Sequence, residues 1–158
     1  AVWASQRWPK SVIHCYEPEP SNFALLEQNL AVIADRVEFN NFAIGNPEWK
    51  ELHLGKNNCG EASFFNHGQQ QDKAVIVETK LPSTMPAAQI LKMDVEGAEL
   101  EILSRLSVID FDVVLFEYHT EYLRRACDEL LKAYDLVGAN GVCRGQGTLK
   151  YLHKRTRG

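Results

Sequence analysis

The sequence has no apolar run approaching the ~18 residues needed to cross a membrane, and its first residues carry no charged-then-apolar signal pattern. No membrane partner is therefore expected. Its four cysteines, Cys15, Cys59, Cys127 and Cys143, form no CxxC pair and stand beside no close histidine, which argues against both a zinc site and a disulfide scaffold. Free thiols in a reducing compartment fit that usage, as does the lack of any Asn-x-Ser/Thr sequence, and the expected location is cytoplasmic. A cationic excess is missing too: 17 Lys and Arg against 21 Asp and Glu leave a net charge of −4, so no nucleic-acid partner is expected. The basic cluster near the end (Lys150, His153, Lys154, Arg155, Arg157) reads as a solvated tail. There is no Gly-x-Ser-x-Gly elbow, P-loop or HExxH motif, which removes support from hydrolase, NTPase and zinc-enzyme readings.

What is present is enough chain for one domain: 158 residues, 45% hydrophobic and 24% charged. Short apolar runs alternate with amphipathic segments. Strands are expected at Ser11–Tyr16, Arg36–Phe42, Ala74–Thr79, Gln89–Val95, Asp112–Tyr118 and Thr148–His153, with a short one at Glu51–Leu54 in a hairpin-like excursion. Four consecutive apolar residues in Asp112–Tyr118 point to a strand covered on both faces. Ala1–Lys10 reads as the tail of a helix ended by Pro9. Ser21 is the expected N-cap of a helix with Phe23, Leu26 and Leu30 on one face. A second helix follows Glu96-Gly97 and buries Leu100, Leu103 and Leu106. A third, near Thr120–Ala133, aligns Leu123, Cys127, Leu130 and Tyr134, with Glu121–Arg125 and Asp128–Lys132 pairs outside. Gly55–Lys73 is a long polar loop, and Gly138, Gly141, Gly145 and Gly147 mark a Gly-rich turn after a strand start at Asp135–Val137. The alternation predicts an α/β domain on a mostly parallel sheet.

In open α/β sheets ligands bind outside the carboxyl ends of the strands. Glu17, Asp94 and Glu117 fall at such ends, with His119 two residues beyond Glu117 and so expected on the same strand face. Glu17 follows the strand at which an acid usually accepts from two ribose hydroxyls; it also suits the start of the next helix, facing its dipole. Asp94 is expected in the crevice rather than on the surface. Glu96 and Glu99 are expected in the first turn of the following helix, where the macrodipole favours carboxylates whatever the function. His119 has the ordinary chemistry of a general base toward a hydroxyl. A different reading gathers Asp94, Glu96 and Glu117 as oxygen ligands for Mg²⁺ in a phosphodiester enzyme, with Lys92 on the side of Asp94.

The segment Lys92-Met93-Asp94-Val95-Glu96-Gly97-Ala98-Glu99-Leu100-Glu101-Ile102-Leu103 resembles the signature of the FkbM-type S-adenosylmethionine-dependent methyltransferases. His14–Asn22 is similar to that family's "EPxPxN" segment, Asn41–Gly45 to its "xxAlG" turn and Val114–Glu117 to its "ilxE" strand, all in family order. The resemblance implies a Rossmann-like class I methyltransferase sheet with helices on both faces, and methyl transfer to a hydroxyl of a sugar or natural-product small molecule. S-Adenosylmethionine is the implied cofactor. Carried over by position, Glu17 holds the cofactor ribose, Phe42 and Ala43 line the adenine pocket, and Ser63 stands near the cofactor. Asp94 stands beside the methionine portion, and His119 or Glu117 takes the hydroxyl proton.

The resemblance also exposes a departure. A Gly-rich turn is expected ~20 residues before the ribose acid, but counting back from Glu17 passes Ala1, and the first glycine is Gly45. Residues 1–158 therefore read as a single, N-terminally truncated methyltransferase domain lacking its first strand and Gly-rich loop. Three readings stay open: the domain begins upstream of Ala1, the gene product is a fragment, or the chain is a non-catalytic relative without cofactor binding. A chain truly starting at Ala1 is expected to expose strand edges, to form a homodimer or swap strands through them, and to bind S-adenosylmethionine weakly or not at all.

Overall fold

The computed structural model describes residues 1–54, 62, 64, 73–106, 109–143 and 145–157. The polar stretch expected as a loop lies almost wholly outside the described residues, and so does Ser63. The chain is mixed α/β, and its described residues fall into two compact units. The first runs through Lys80, Phe64 excepted; the second takes Phe64 and continues from Leu81.

The first unit opens with helix α1 (Val2–Arg7), after which the chain passes Pro9 into strand β1 (Ile13–Tyr16). Helix α2 (Pro20–Leu30) follows, and a 3₁₀ segment leads to β2 (Val37–Asn40), which pairs with β1 in parallel. The cap of α2 is Glu19, not Ser21: Glu19 Oε2 accepts from the Asn22 N–H at 2.6 Å. Pro20 explains the displacement. Its fixed φ and missing N–H suit the first helical position, so the helix begins there and Ser21 lies inside it. Leu30 is buried and Phe23 and Leu26 are half-buried, as their spacing requires, and Phe23 packs edge-on against Phe39. Strand β3 (Ala43–Ile44) pairs in parallel with β5 (Lys73–Lys80), whose other edge forms the expected hairpin with β4 (Trp49–Leu54).

The second unit holds a four-stranded sheet in the order β6 (Ile90–Met93), β7 (Val113–Tyr118), β9 (Gln146–His153), β8 (Tyr134–Cys143). Only β6 and β7 run parallel; β9 is antiparallel to both its neighbours. The β4–β5 and β8–β9 pairings thus replace the mostly parallel sheet with a mixed one. Strand β8 also runs through Gly138 and Gly141, which the sequence placed in a turn; register shifts after Leu136 and Gly141 absorb the irregularity. The reversal centres instead on Gly145 at φ +86°, and Gly147 lies so close that a Cβ would sit 2.5 Å from the Asn140 carbonyl oxygen.

Burial alternates along β7. Val114 and Phe116 are 0% and 2% exposed, whereas Val113, Leu115 and Glu117 are half-buried. The strand is therefore sealed on one face only, not on both. Helix α3 (Glu99–Arg105) and helix α4 (Glu121–Leu130) pack together, and α4 packs on β7. On α3 the buried residues are Glu99, Ile102 and Leu103, while Leu100 and Leu106 are half-buried. On α4 the inward row is Leu123, Cys127 and Leu131; Leu130 is exposed and Tyr134 already belongs to β8. The Thr120 hydroxyl caps α4 by accepting from the Leu123 N–H. Glu121 pairs with Arg125 as spaced, but Asp128 takes Arg124 and Lys132 takes Glu129.

Within the terminal basic cluster, Lys154 and Arg155 are exposed but paired rather than free in solvent. Arg155 bridges Asp110 and Asp112, and Lys154 Nζ donates to the Lys132 carbonyl, tying the chain end to the start of β7 and to the segment after α4. Among the described residues β1 and β2 pair only with each other and β6 pairs with β7 alone, so β1, β2 and β6 each keep an unpaired edge.

Candidate active site

In the first unit Glu17 follows β1 directly, and its N–H extends the ladder by donating to the Asn40 carbonyl. Two prolines then force the chain away from the sheet. Glu17 Oε1 accepts from the Glu19 N–H at 2.9 Å, so one carboxylate oxygen shapes the turn. Among the described residues Oε2 has no hydrogen-bond donor. Burial, with the neighbouring Glu19 charge adding to it, pushes the Glu17 carboxyl above its ordinary range; the Glu19 N–H opposes the shift. Asn41 pins the segment, its Nδ2 donating to the Glu17 carbonyl at 2.8 Å and reaching the Pro18 carbonyl at 3.3 Å. Asn40 Nδ2 donates to the Cys15 carbonyl. Sequence reasoning passed over this asparagine pair, whose signal was its place at the end of the neighbouring strand.

Phe42 is half-buried between two neighbours: Tyr16 meets it edge-on at 5.6 Å, and Lys80 Nζ stands 4.1 Å from the ring centroid. Ala43 is buried, 6% exposed, at the start of β3. Glu17, Phe42 and Ala43 thus belong to one unit, where a carboxylate, an aromatic ring and a small residue follow the ends of adjoining strand segments.

In the second unit a cavity of about 500 Å³ opens against the sheet face that the helices leave uncovered, lined by Lys92, Asp94, Leu115, Glu117, Asn140, Thr148 and Lys150 among others. Cross-strand register explains the grouping, because Lys92, Leu115 and Lys150 lie opposite one another, as do Glu117 and Thr148. Asp94 and Glu117 are therefore brought to one cavity. Asp94 is nevertheless half-exposed, and Lys92 Nζ, from the same side of the strand, lies 3.2 Å from its Oδ2. The expectation of a carboxylate withdrawn into a crevice gives way to one on a rim.

His119 does not share that cavity wall. Strand β7 ends at Tyr118, so the alternation that would keep His119 beside Glu117 stops one residue early. Its ring turns instead toward the loop after β6, with Nε2 3.5 Å from Glu96 Oε2. Glu96 is not in the first helical turn, because α3 begins only at Glu99; Glu96 and Gly97 form a left-handed turn at φ +50° and +102°. Glu99 is in that first turn but 1% exposed, its Oε1 accepting from the Gly97 N–H at 3.4 Å. Burial is the main force raising the Glu99 carboxyl above the ordinary glutamate range, with backbone N–H groups and His119 opposing it.

A raised carboxyl favours the fold when protonated. Its contribution is fully present below the ordinary value of 4.5 and is lost as pH rises through the raised one. The wild-type unfolding midpoint is therefore expected to fall across that window relative to Glu99→Gln, with the gap widening as pH rises. Parallel urea titrations at several pH values check this; a gap independent of pH contradicts it.

Among the described residues no three His, Cys, Asp or Glu side chains group to hold a metal ion. The Asp94, Glu96 and Glu117 set for Mg²⁺ is not assembled: Asp94 pairs with Lys92 on the cavity rim, while Glu96 faces His119. Cys15 and Cys127 are free thiols, and Cys127, fully buried, is pushed up to about 12 by burial and by the Glu99 and Asp128 charges, so it is unreactive at neutral pH. Among the described residues no helix is long and apolar enough to cross a membrane.

A family model described as "Methyltransferase FkbM domain" matches residues 2–136. No curated protein and no solved structure gives a significant match.

Proposed function

Because the chain belongs to the FkbM methyltransferase family, we propose that it transfers a methyl group from S-adenosylmethionine to a hydroxyl of a sugar or natural-product small molecule. The observation that carries this reading is the pair of carboxylates following parallel strands, Glu17 after β1 and Asp94 after β6, inside the matched span. The donor set fits the cofactor. A ribose diol offers two hydroxyl donors, and Glu17 has a half-buried carboxylate with Oε2 uncommitted among the described residues. In the same unit as Glu17, Phe42 and Ala43 would take the adenine. When bound, the cofactor supplies an electrophilic methyl carbon whose bond to sulfur breaks as the bond to the acceptor oxygen forms.

The protein's own share is to align the hydroxyl, exclude water and take the hydroxyl proton. His119 suits that last role, being 25% exposed and held against carboxylates. Glu117, on the cavity wall, is placed to orient an acceptor hydroxyl. In the second unit, parallel β6–β7 with antiparallel β9 inserted beside β8 supports a class I methyltransferase sheet. The two free thiols support a reducing, cytoplasmic setting.

The test is methyl transfer itself. The full-length gene product, given methyl-labelled S-adenosylmethionine and a panel of sugars and hydroxylated small molecules, is expected to place label in an ether linkage and to release S-adenosylhomocysteine. Label appearing only on nitrogen or sulfur acceptors contradicts the hydroxyl assignment.

A further inference from the structure

The imidazole of His119 has two nitrogens, and the fold treats them differently. Nε2 is sealed from solvent although the side chain is 25% exposed, so the exposed part of the residue lies elsewhere. Glu96 Oε2 lies 3.5 Å from Nε2, within ion-pair range but without hydrogen-bond alignment. Glu99 brings a second carboxylate into the same environment: its Oε2 is buried with no hydrogen bond, and the group interacts electrostatically with His119. An ionised carboxylate only accepts, so a sealed imidazole nitrogen facing it is the one that carries hydrogen. The backbone enforces this arrangement. Glu96 occupies the left-handed region, which side-chain-bearing residues adopt only under strain, and the turn so formed delivers its carboxylate to the ring.

We propose that Glu96 and Glu99 are positioning residues for His119: they hold the Nε2–H side of the imidazole and leave Nδ1 as the atom that takes the proton of the acceptor hydroxyl. The inference rests on the methyl-transfer reading above and deepens it. As the hydroxyl O–H bond breaks, its proton moves to the Nδ1 lone pair and its electrons stay on oxygen. The oxygen bonds the methyl carbon as that carbon's bond to sulfur gives its pair back to sulfur. The positive charge gained by the imidazole is met on its Nε2 side by the Glu96 carboxylate, and the Glu99 charge adds to the attraction. Loose spacing at 3.5 Å is ordinary for such a pair without substrate, and closes when the ring is charged.

The test reads the tautomer directly, by ¹⁵N–¹H correlation on histidine-labelled full-length gene product, with His119→Asn identifying the resonance. Wild type is expected to show His119 as the Nε2–H form, its N–H protected from exchange with water. Glu96→Gly suits the left-handed backbone and should fold; it is expected to speed that exchange by about tenfold, because the carboxylate that faces Nε2 is gone and water can reach the ring. Glu96→Gln keeps an acceptor oxygen and should retain most of the protection. An Nδ1–H form in wild type, or exchange unchanged in both Glu96→Gly and Glu99→Gln, overturns the proposal. Calorimetric titration with S-adenosylhomocysteine separates the two levels of inference. Binding that persists in Glu96→Gly while protection is lost supports the positioning role, and a wild-type protein that binds no nucleoside removes the methyl-transfer reading and the role of Nδ1 with it.

Discussion

Replacing Phe116 by alanine is expected to cost about 3–5 kcal/mol of unfolding free energy, the range for emptying a large aromatic site in a packed core. Phe116 is 2% exposed on the sealed face of β7, opposite Met93 on one neighbour and Leu149 on the other. Its ring stacks on Tyr151 at 5.7 Å with the planes nearly parallel. Tyr151 in turn donates from its hydroxyl to Asp128 of α4, which also accepts from Arg124 at 2.6 Å. Burial and the Asp128 bond push the Tyr151 phenol up, so it stays a donor at any working pH. Removing the Phe116 ring therefore leaves a void and loosens the side chain that ties sheet to helix. Its neighbour Leu115 points the other way, onto the cavity, and is only half-buried. Leu115→Ala is expected to cost about 1 kcal/mol, in proportion to the smaller area it hides. Urea unfolding of the two variants side by side makes the comparison, and equal losses would mean that β7 is covered alike on both faces.

Glu17→Gln is expected to weaken S-adenosylhomocysteine binding about 10- to 100-fold. A hydrogen bond to a charged group is worth about 1.5–3 kcal/mol, and the amide offers a neutral acceptor where a carboxylate had met two hydroxyls. Glutamine preserves the Oε1 acceptor for the Glu19 N–H, so the turn into α2 survives and circular dichroism should not change. The variant also removes an ionised group whose burial is unfavourable, so its stability at neutral pH should match or exceed that of wild type. Loss of affinity with stability retained separates a ligand contact from a structural one. Affinity unchanged within twofold would move the ribose contact away from Glu17.

Strand positions were legible in the sequence because β-branched and aromatic runs bounded by Gly, Pro and Asn have few other uses. Ile13–Tyr16, Ile90–Met93, Val113–Tyr118 and Gln146–His153 all fall within or about expected segments. Pairing was less legible. Nothing local distinguishes a β9 that returns antiparallel from one that continues a parallel sheet, and the glycines of 138–141 looked like a turn although their strand tolerates them through register shifts. The acids at strand ends were legible as a set, since strand ends bound the crevice, but their partners were not. Asp94 meeting Lys92, and Asp128 choosing Arg124 over Lys132, depend on rotamers and helix phase that sequence spacing leaves open. The left-handed turn at Glu96 was the least visible feature, because glutamate gives no signal of positive φ. That turn brings the Glu96 carboxylate to His119.

We infer that this FkbM family member works on a nucleoside cofactor. Thermal unfolding of the full-length gene product, with and without saturating S-adenosylhomocysteine and separately with Mg²⁺, tests it most directly. A ligand that binds only the folded state at one hundred times its Kd adds about 2.7 kcal/mol, so Tm should rise by several degrees with the nucleoside and stay unchanged with Mg²⁺. A Tm raised by Mg²⁺ and indifferent to S-adenosylhomocysteine would contradict the account.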